Sequence, residues 1–385
     1  MMMKIRLFCW ILVPLLIIVS IYSFVQYKSI QEKNTDSRKK QPIEEIEQPA
    51  KLSETPIAAS AATLSAIGDV LIHDRVYNPQ HLGNDQYDFM PLLEPVKSSI
   101  GTSDVTVANQ ESMIGGAGIG LSTYPSFNSP HEVGDALKES GVDIVTMANN
   151  HTLDRGEEAI QNAINHWNKI GILYTGSFVS PKDHMTIRTI EKNGIKFSFL
   201  AYTYGTNGIS IPEGKSYLVN LIDMEKIKKE IVLAKKISDV VVVSLHFGKE
   251  YERLPNDEQK QIARQTANAG ADIIIGHHPH VLQPIEWITR EDGKRTIVAY
   301  SLGNFLTGQT NDYKDLGGIM QIKVEKVEVN GKMSITLKDP AFLPTFVNQK
   351  YIVAPLHQVK GKTEVYEEIK KHMSQWMPEL KFSLQ

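Results

Sequence analysis

Gly276-His277-His278-Pro279-His280 places three imidazoles within four residues. Imidazole is a common metal ligand and the side chain that exchanges protons near neutral pH. The cluster follows Asp272-Ile273-Ile274-Ile275, a short β-branched run that reads as a buried strand. Open α/β sheets gather their ligands beyond the carboxyl ends of their strands. If the segment stays extended, His278 and His280 are two apart and project to one side, where both reach one ion.

The same arrangement of apolar run followed by chemistry-bearing residues recurs along the chain. Leu64–Ile67 leads to Gly68-Asp69, and Asp104–Ala108 leads to Asn109-Gln110-Glu111. Asp143–Met147 delivers Asn150 and His151, Asp239–Ser244 delivers His246, and Thr296–Tyr300 delivers Asn304. Carboxylate, amide oxygen and imidazole together suit a divalent metal such as Mn, Zn or Fe, bound with positions left open for water. Such an ion lowers the pKa of its water and so supplies a nucleophile at neutral pH. A histidine beside the ligands, such as His151, can protonate a leaving group or hold a developing oxyanion.

Helical spacing separates most of these strands. It predicts helices over Met90–Ile100, Glu132–Ser140, Glu157–Ile170, Asp223–Lys236, Asn256–Ala269 (capped by Asn256) and Tyr366–Met373. The alternation implies an α/β core with strand ends aligned along one edge. Met320–Val329 and Met333–Leu337, joined by Asn330-Gly331, read as a hairpin at the far edge. The stretch Gly115 to Gly120 reads as a loop, because no Lys-Ser/Thr follows to make it a phosphate cradle.

Composition narrows the classes. A formal net charge of -3 lacks the basic excess that non-specific nucleic-acid binding needs, so no nucleic-acid partner is expected. The one cysteine, Cys9, lies in an apolar N-terminal run, which leaves the folded part without disulfide or thiolate chemistry. From Leu7 to Tyr27 the chain carries no charge and is long enough to span a bilayer as a helix. Residues 1–27 are therefore expected as a short N-terminal tip and an uncleaved transmembrane anchor, and 28–60, rich in Lys, Glu, Gln and Pro, as a disordered linker. Lys28, Lys33, Arg38, Lys39 and Lys40 follow the span, a distribution that by itself does not favour placing the remainder outside, although large domains cross despite such charge.

Across Leu64 to Phe305 the chain resembles the CapA family of capsule-synthesis proteins associated with poly-γ-glutamate. The resemblance rests on Gly68-Asp69, Asn109-Gln110-Glu111, Ala148-Asn149-Asn150-His151-Thr152-Leu153-Asp154, His246 to Tyr251, Ala269 to His280 and Tyr300 to Phe305. The family looks like an offshoot of the calcineurin-like metallophosphoesterases. That likeness implies a four-layer αββα sandwich over 61–350, preceded by the transmembrane helix, with 351–385 as a C-terminal extension carrying a short helix. It implies Asp69, Glu111, Asn150, His246, His278 and His280 as metal ligands and His151 with Asp154 as catalytic residues. Asn304 would touch substrate or support the ligands. His277 falls where the family tolerates small residues and is left out of the ligand set.

Two positions depart from the parent pattern. Asp69-Val70-Leu71 lacks the histidine of Asp-x-His, although His73 is nearby, and Glu111 stands where a bridging aspartate is expected. A full metal pair, an altered pair and a single metal remain open, as do a metal-dependent hydrolase and a non-catalytic polymer-handling component. The resemblance further implies a single-pass protein of the cell membrane with the tip of residues 1–27 cytoplasmic and its large domain outside. Its partners would be the membrane, an anionic envelope polymer such as poly-γ-glutamate, and other capsule-synthesis membrane proteins.

Overall fold

The computed structural model describes residues 21, 23–29, 58–329 and 332–384, so most of the expected anchor and linker lies outside the described residues. In the N-terminal unit, Met1–Glu54, residues 23–29 are helical. No helix among the described residues is long and apolar enough to cross a membrane. The second unit, Thr55–Gln385, carries two large sheets.

Strand β1 (Ala58–Leu71) occupies the middle of the first sheet. On one side it pairs in parallel with β2 (Val105–Gln110), which pairs with β3 (Ile144–Thr146), and then with Leu173–Thr175. On the other side the hairpin Leu316–Val329/Lys332–Val347 pairs antiparallel with β1. That hairpin is interior rather than at the edge, because Val353–Pro355 pairs outside it. The second sheet is built around β4 (Val240–His246) and β5 (Ile273–His277), which pair in parallel, with β6 (Arg295–Leu302) beside β5. Ile195–Thr203 lies on the far side of β4.

The alternation of side chains explains the layering. Leu64, Val107, Ile144, Val240, Val242, Ile273 and Ile275 share one buried layer between the sheets. The opposite faces carry Ile67, Ala108 and Val145 on the first sheet and Val241, Val243 and Ile274 on the second. Helices Met90–Gly101, Glu132–Glu139 and Gly156–Ile170 cover the former, and Met224–Ala234 and Asp257–Ala269 the latter. The result is a four-layer αββα sandwich. Fully burying each such branched side chain contributes about 1.5–3 kcal/mol, so the three apolar layers carry much of the stability. The helix Thr363–Ser374 adds Ile369 and Met373 to the inter-sheet layer, so the C-terminal segment belongs to the core.

The helices begin and end where local chemistry dictates. Asn256 caps Asp257–Ala269 through a capping box with Gln259, and Gly270 ends it in the left-handed region at φ 113°. Chain connectivity then ties the sheets together at one end. After β6 the backbone turns at Gly303 and continues as β7 (Asn304–Thr307), which pairs with β1 of the other sheet. A single extended segment thus passes from the second sheet to the first.

Candidate metal centre

The strand period aims the polar residues inward. On β2 the inward series Val105, Val107 continues to Asn109 and Glu111; on β4, Val240 and Val242 lead to His246; on β5, Ile273 and Ile275 lead to His277. On β1 the same parity would turn Asp69 outward with Ile67. A register shift between Ile67 and Asp69 corrects this, and the Asp69 backbone N–H bonds the Gly303 carbonyl at 2.8 Å. Such bulges re-aim side chains near functional sites. Gly68 permits the close approach, since a Cβ there would sit 2.2 Å from the Gly303 oxygen.

His278 and His280 reach the same place by a different route from the extended one expected. Their φ angles are 99° and 58°, so the segment is a turn in the left-handed region and simple alternation does not apply. Their rings nevertheless lie 5.9 Å apart, and His278 is 4.9 Å from the His246 ring. The turn rather than the strand brings them together.

Donor atoms converge within 4.8 Å in two overlapping groups, Glu111/His278/His280 and Asp69/Glu111/His246, all buried. Glu111 Oε1 is 3.6 Å from His246 Nε2 and 3.5 Å from His280 Nε2. Asn150 Oδ1 lies 2.7 Å from His246 Nε2. His280 Nδ1 is 3.1 Å from both Asp69 Oδ2 and Asn304 Oδ1. Asn304 is buried behind His280, donating through Nδ2 to the His280 and Lys314 carbonyls and to Gln309 Oε1. The centre is therefore supplied from both sheets, with Asp69, Glu111 and Asn150 on one side and His246, His278 and His280 on the other.

His151 stands beside it as part of a dyad. Its Nδ1–H donates to Asp154 Oδ2 at 2.7 Å, and that oxygen also accepts the Phe127 backbone N–H at 2.7 Å. With Nδ1 committed, Nε2 is the nitrogen left for chemistry. His151 lines a polar cleft of about 420 Å³ together with His73, Arg75, Tyr124, Glu250, Tyr251, His280 and Lys314.

The electrostatics fit a cation. Burial raises the Glu111 carboxyl well above its usual range. Asp69 is also buried, yet the hydrogen bond from His277 and the close imidazole of His280 more than offset that burial and hold it well below the usual range. Burial holds His246 well below its usual value and pushes His278 down to about 3. His280 resists its burial, and the neighbouring Glu111 and Asp69 carboxyls lift it to about 9. Asp69 Oδ2, both Glu111 oxygens, His246 Nδ1 and His278 Nδ1 are buried without a hydrogen-bond partner. Orphaned buried groups cost about 1–3 kcal/mol each. Their concentration at one point, in borderline N and O donors, fits a divalent ion of the Zn, Mn or Fe kind.

Several neighbours were not foreseen from the sequence. His277, set aside there, bonds Asp69 Oδ1 at 3.1 Å, and Asn109 bonds the same oxygen at 2.9 Å. Asn207 accepts from Asn150 Nδ2 at 3.2 Å, and the Tyr204 ring lies 4.7 Å from that of His278. Both come from a loop that follows the Ile195–Thr203 strand and contains Tyr204, Gly205 and Gly208. Its position after a buried strand was the available signal. His73 does not join the donor groups; it lies against Phe127, ring centroids 5.1 Å apart, on the cleft wall.

The chain is similar to two curated proteins from Bacillus. It is 36% identical over 174 residues to the PGA biosynthesis protein CapA of Bacillus subtilis (strain 168), covering 45% of this chain and 44% of that one. It is 33% identical over 186 residues to the capsule biosynthesis protein CapA of Bacillus anthracis, covering 47% and 44%. The chain thus spans less than half the length of these relatives. Among solved structures, Haemophilus influenzae NAD nucleotidase (NadN) superposes with a TM-score of 0.46 at 11% identity, over 84% of this chain and 57% of that one. The calcineurin-like phosphoesterase YfkN of Bacillus subtilis does so with a TM-score of 0.40 at 16% identity, over 73% and 91%. The profile of the bacterial capsule synthesis protein PGA_cap family matches residues 63–309, and the chain belongs to that family.

Proposed function

We propose that the protein is a membrane-anchored, metal-dependent hydrolase of capsule assembly, acting outside the cell on an anionic envelope polymer such as poly-γ-glutamate alongside other capsule-synthesis membrane proteins. The observation that carries this reading is the convergence of Asp69, Glu111, His246, His278 and His280 donors at one buried point beside an open polar cleft. Asp69, Glu111, Asn150, His246, His278 and His280 would hold a Zn, Mn or Fe ion, which acts as a Lewis acid and activates water. His151 holds a proton at Nε2 for the leaving group, oriented by Asp154 through Nδ1. Arg75 and Lys314 on the cleft wall suit an anionic substrate. The uncharged Leu7–Tyr27 run supports the anchor. The absence of a histidine two residues after Asp69 favours one other reading, a polymer-handling component that keeps the metal for structure.

Elemental analysis separates these readings. The full chain, purified without chelator, should carry transition metal that the His278→Ala/His280→Ala form has lost. His151→Ala should keep the metal and lose on the order of 10²–10⁴ in turnover of phosphoester or amide substrates. Unchanged metal in the double variant sinks the ligand assignment. Metal binding without any turnover, in the unsubstituted chain, favours the polymer-handling role.

A further inference from the structure

A line of hydrogen bonds crosses the sandwich behind the metal centre. Thr146 Oγ1–H donates to Asn109 Oδ1 at 3.1 Å, which orients the amide so that its Nδ2–H donates to Asp69 Oδ1 at 2.9 Å. From the opposite sheet His277 Nδ1 approaches that same oxygen at 3.1 Å. A carboxylate only accepts, so this ring nitrogen carries the hydrogen. All four side chains are buried, the least so Thr146 at 2% exposed. His277 has no place in either group of converging donors, whereas Asp69 does.

We infer that Asn109 and His277 are positioning residues which together saturate Asp69 Oδ1, so that Asp69 meets the metal through Oδ2 alone. The inference rests on the metal reading given above. Two donors from different sheets grip one oxygen and fix the rotation of the carboxylate about its own axis. Asp69 Oδ2 is left without hydrogen-bond partners and within reach of His280. Outer partners of this kind tune metal affinity by about 10–100-fold. His277 acts across the interface between the sheets, so it also ties the geometry of β5 to that of β1.

The test is the affinity of the full chain for Mn²⁺ and Zn²⁺, measured by competition with a chromophoric chelator, with the thermal midpoint of each metal-free variant as a check on folding. His277→Ala should weaken binding about 10–100-fold. His277→Asn places an amide N–H near the position of Nδ1 and should restore binding to within a few-fold, while His277→Gln, whose amide sits nearer Nε2, should not. Thr146→Val, which leaves the Asn109 amide free to flip, should weaken binding in the same direction and keeps the question answerable if His277→Ala fails to fold. Rescue by Gln and not Asn would make His277 a ligand through Nε2 and overturn the inference, as would unchanged affinity in both His277→Ala and Thr146→Val. Absence of metal on the unsubstituted chain would overturn the metal reading and this inference with it. Metal bound normally there but indifferent to these substitutions overturns the inference alone.

Discussion

His73 shows how one buried side chain can set a pH limit on the whole unit. Its ring packs edge-on against Phe127, and burial pushes it down to about 4. An unfolded histidine titrates near 6.5. Above pH 6.5 the ring is neutral in both states and contributes no pH dependence. Between 6.5 and 4 the unfolded chain binds the extra proton, so stability falls as pH falls through this window. The loss attributable to His73 is on the order of 1–3 kcal/mol. Chemical denaturation of the chain at pH 7 and pH 4.5 should show a larger drop than the same pair of measurements on His73→Asn. Equal drops would mean that the ring is already accessible to protons in the folded state.

At the scale of elements, Gly276 carries a specific burden. A Cβ there would lie 2.0 Å from the Tyr300 carbonyl oxygen, because β5 and β6 run together just before the histidine turn. Gly276→Ala should cost about 3 kcal/mol through overpacking, read as a lower denaturant midpoint at unchanged slope. It should also weaken metal binding, since His277, His278 and His280 follow directly. A stability loss with unaltered affinity would show that the turn is independent of the strand.

The β-branched runs Val240–Val243 and Ile273–Ile275, and the helices with clean apolar faces, were legible in the sequence because burial on both sides leaves an unbroken pattern. Other elements were not. Leu173–Thr175 is only three residues long, Leu282–Thr289 contains Pro284, and Arg188–Lys192 is a charged edge strand. None offers a period long enough to register. Likewise the donor residues could be read one by one from strand ends. Their mutual arrangement could not, because it depends on a bulge at Asp69 and a left-handed turn at His278 and His280. The partnership of Asn109 and His277 with Asp69 joins residues 40 and 208 positions apart along the chain and has no local signature.

At the scale of the whole molecule, the proposed anchor can be tested apart from the folded unit. The unit from Thr55 onward has its own three apolar layers, so removal of residues 1–27 should move the protein from the membrane fraction to the soluble fraction while leaving the thermal midpoint of the unit unchanged. Retention at the membrane after that deletion would place the attachment in the folded unit instead. The formal net charge of -3 makes purely electrostatic adhesion to anionic lipid a weak alternative.

The backbone crossover at Gly303 has a mechanical consequence. Because β6 and β7 are one continuous segment shared by the two sheets, the sandwich is stitched at the end where the donors meet, and Gly303 at φ 63° forms the stitch. Any breathing of the layers is then expected to pivot about this end, like a book opening away from its spine. Backbone amide exchange should accordingly be slowest between β1 and β5 near Asp69 and His277 and faster toward the opposite strand ends. Uniform exchange along the strands would mean that the crossover does not steady the spacing of the donors.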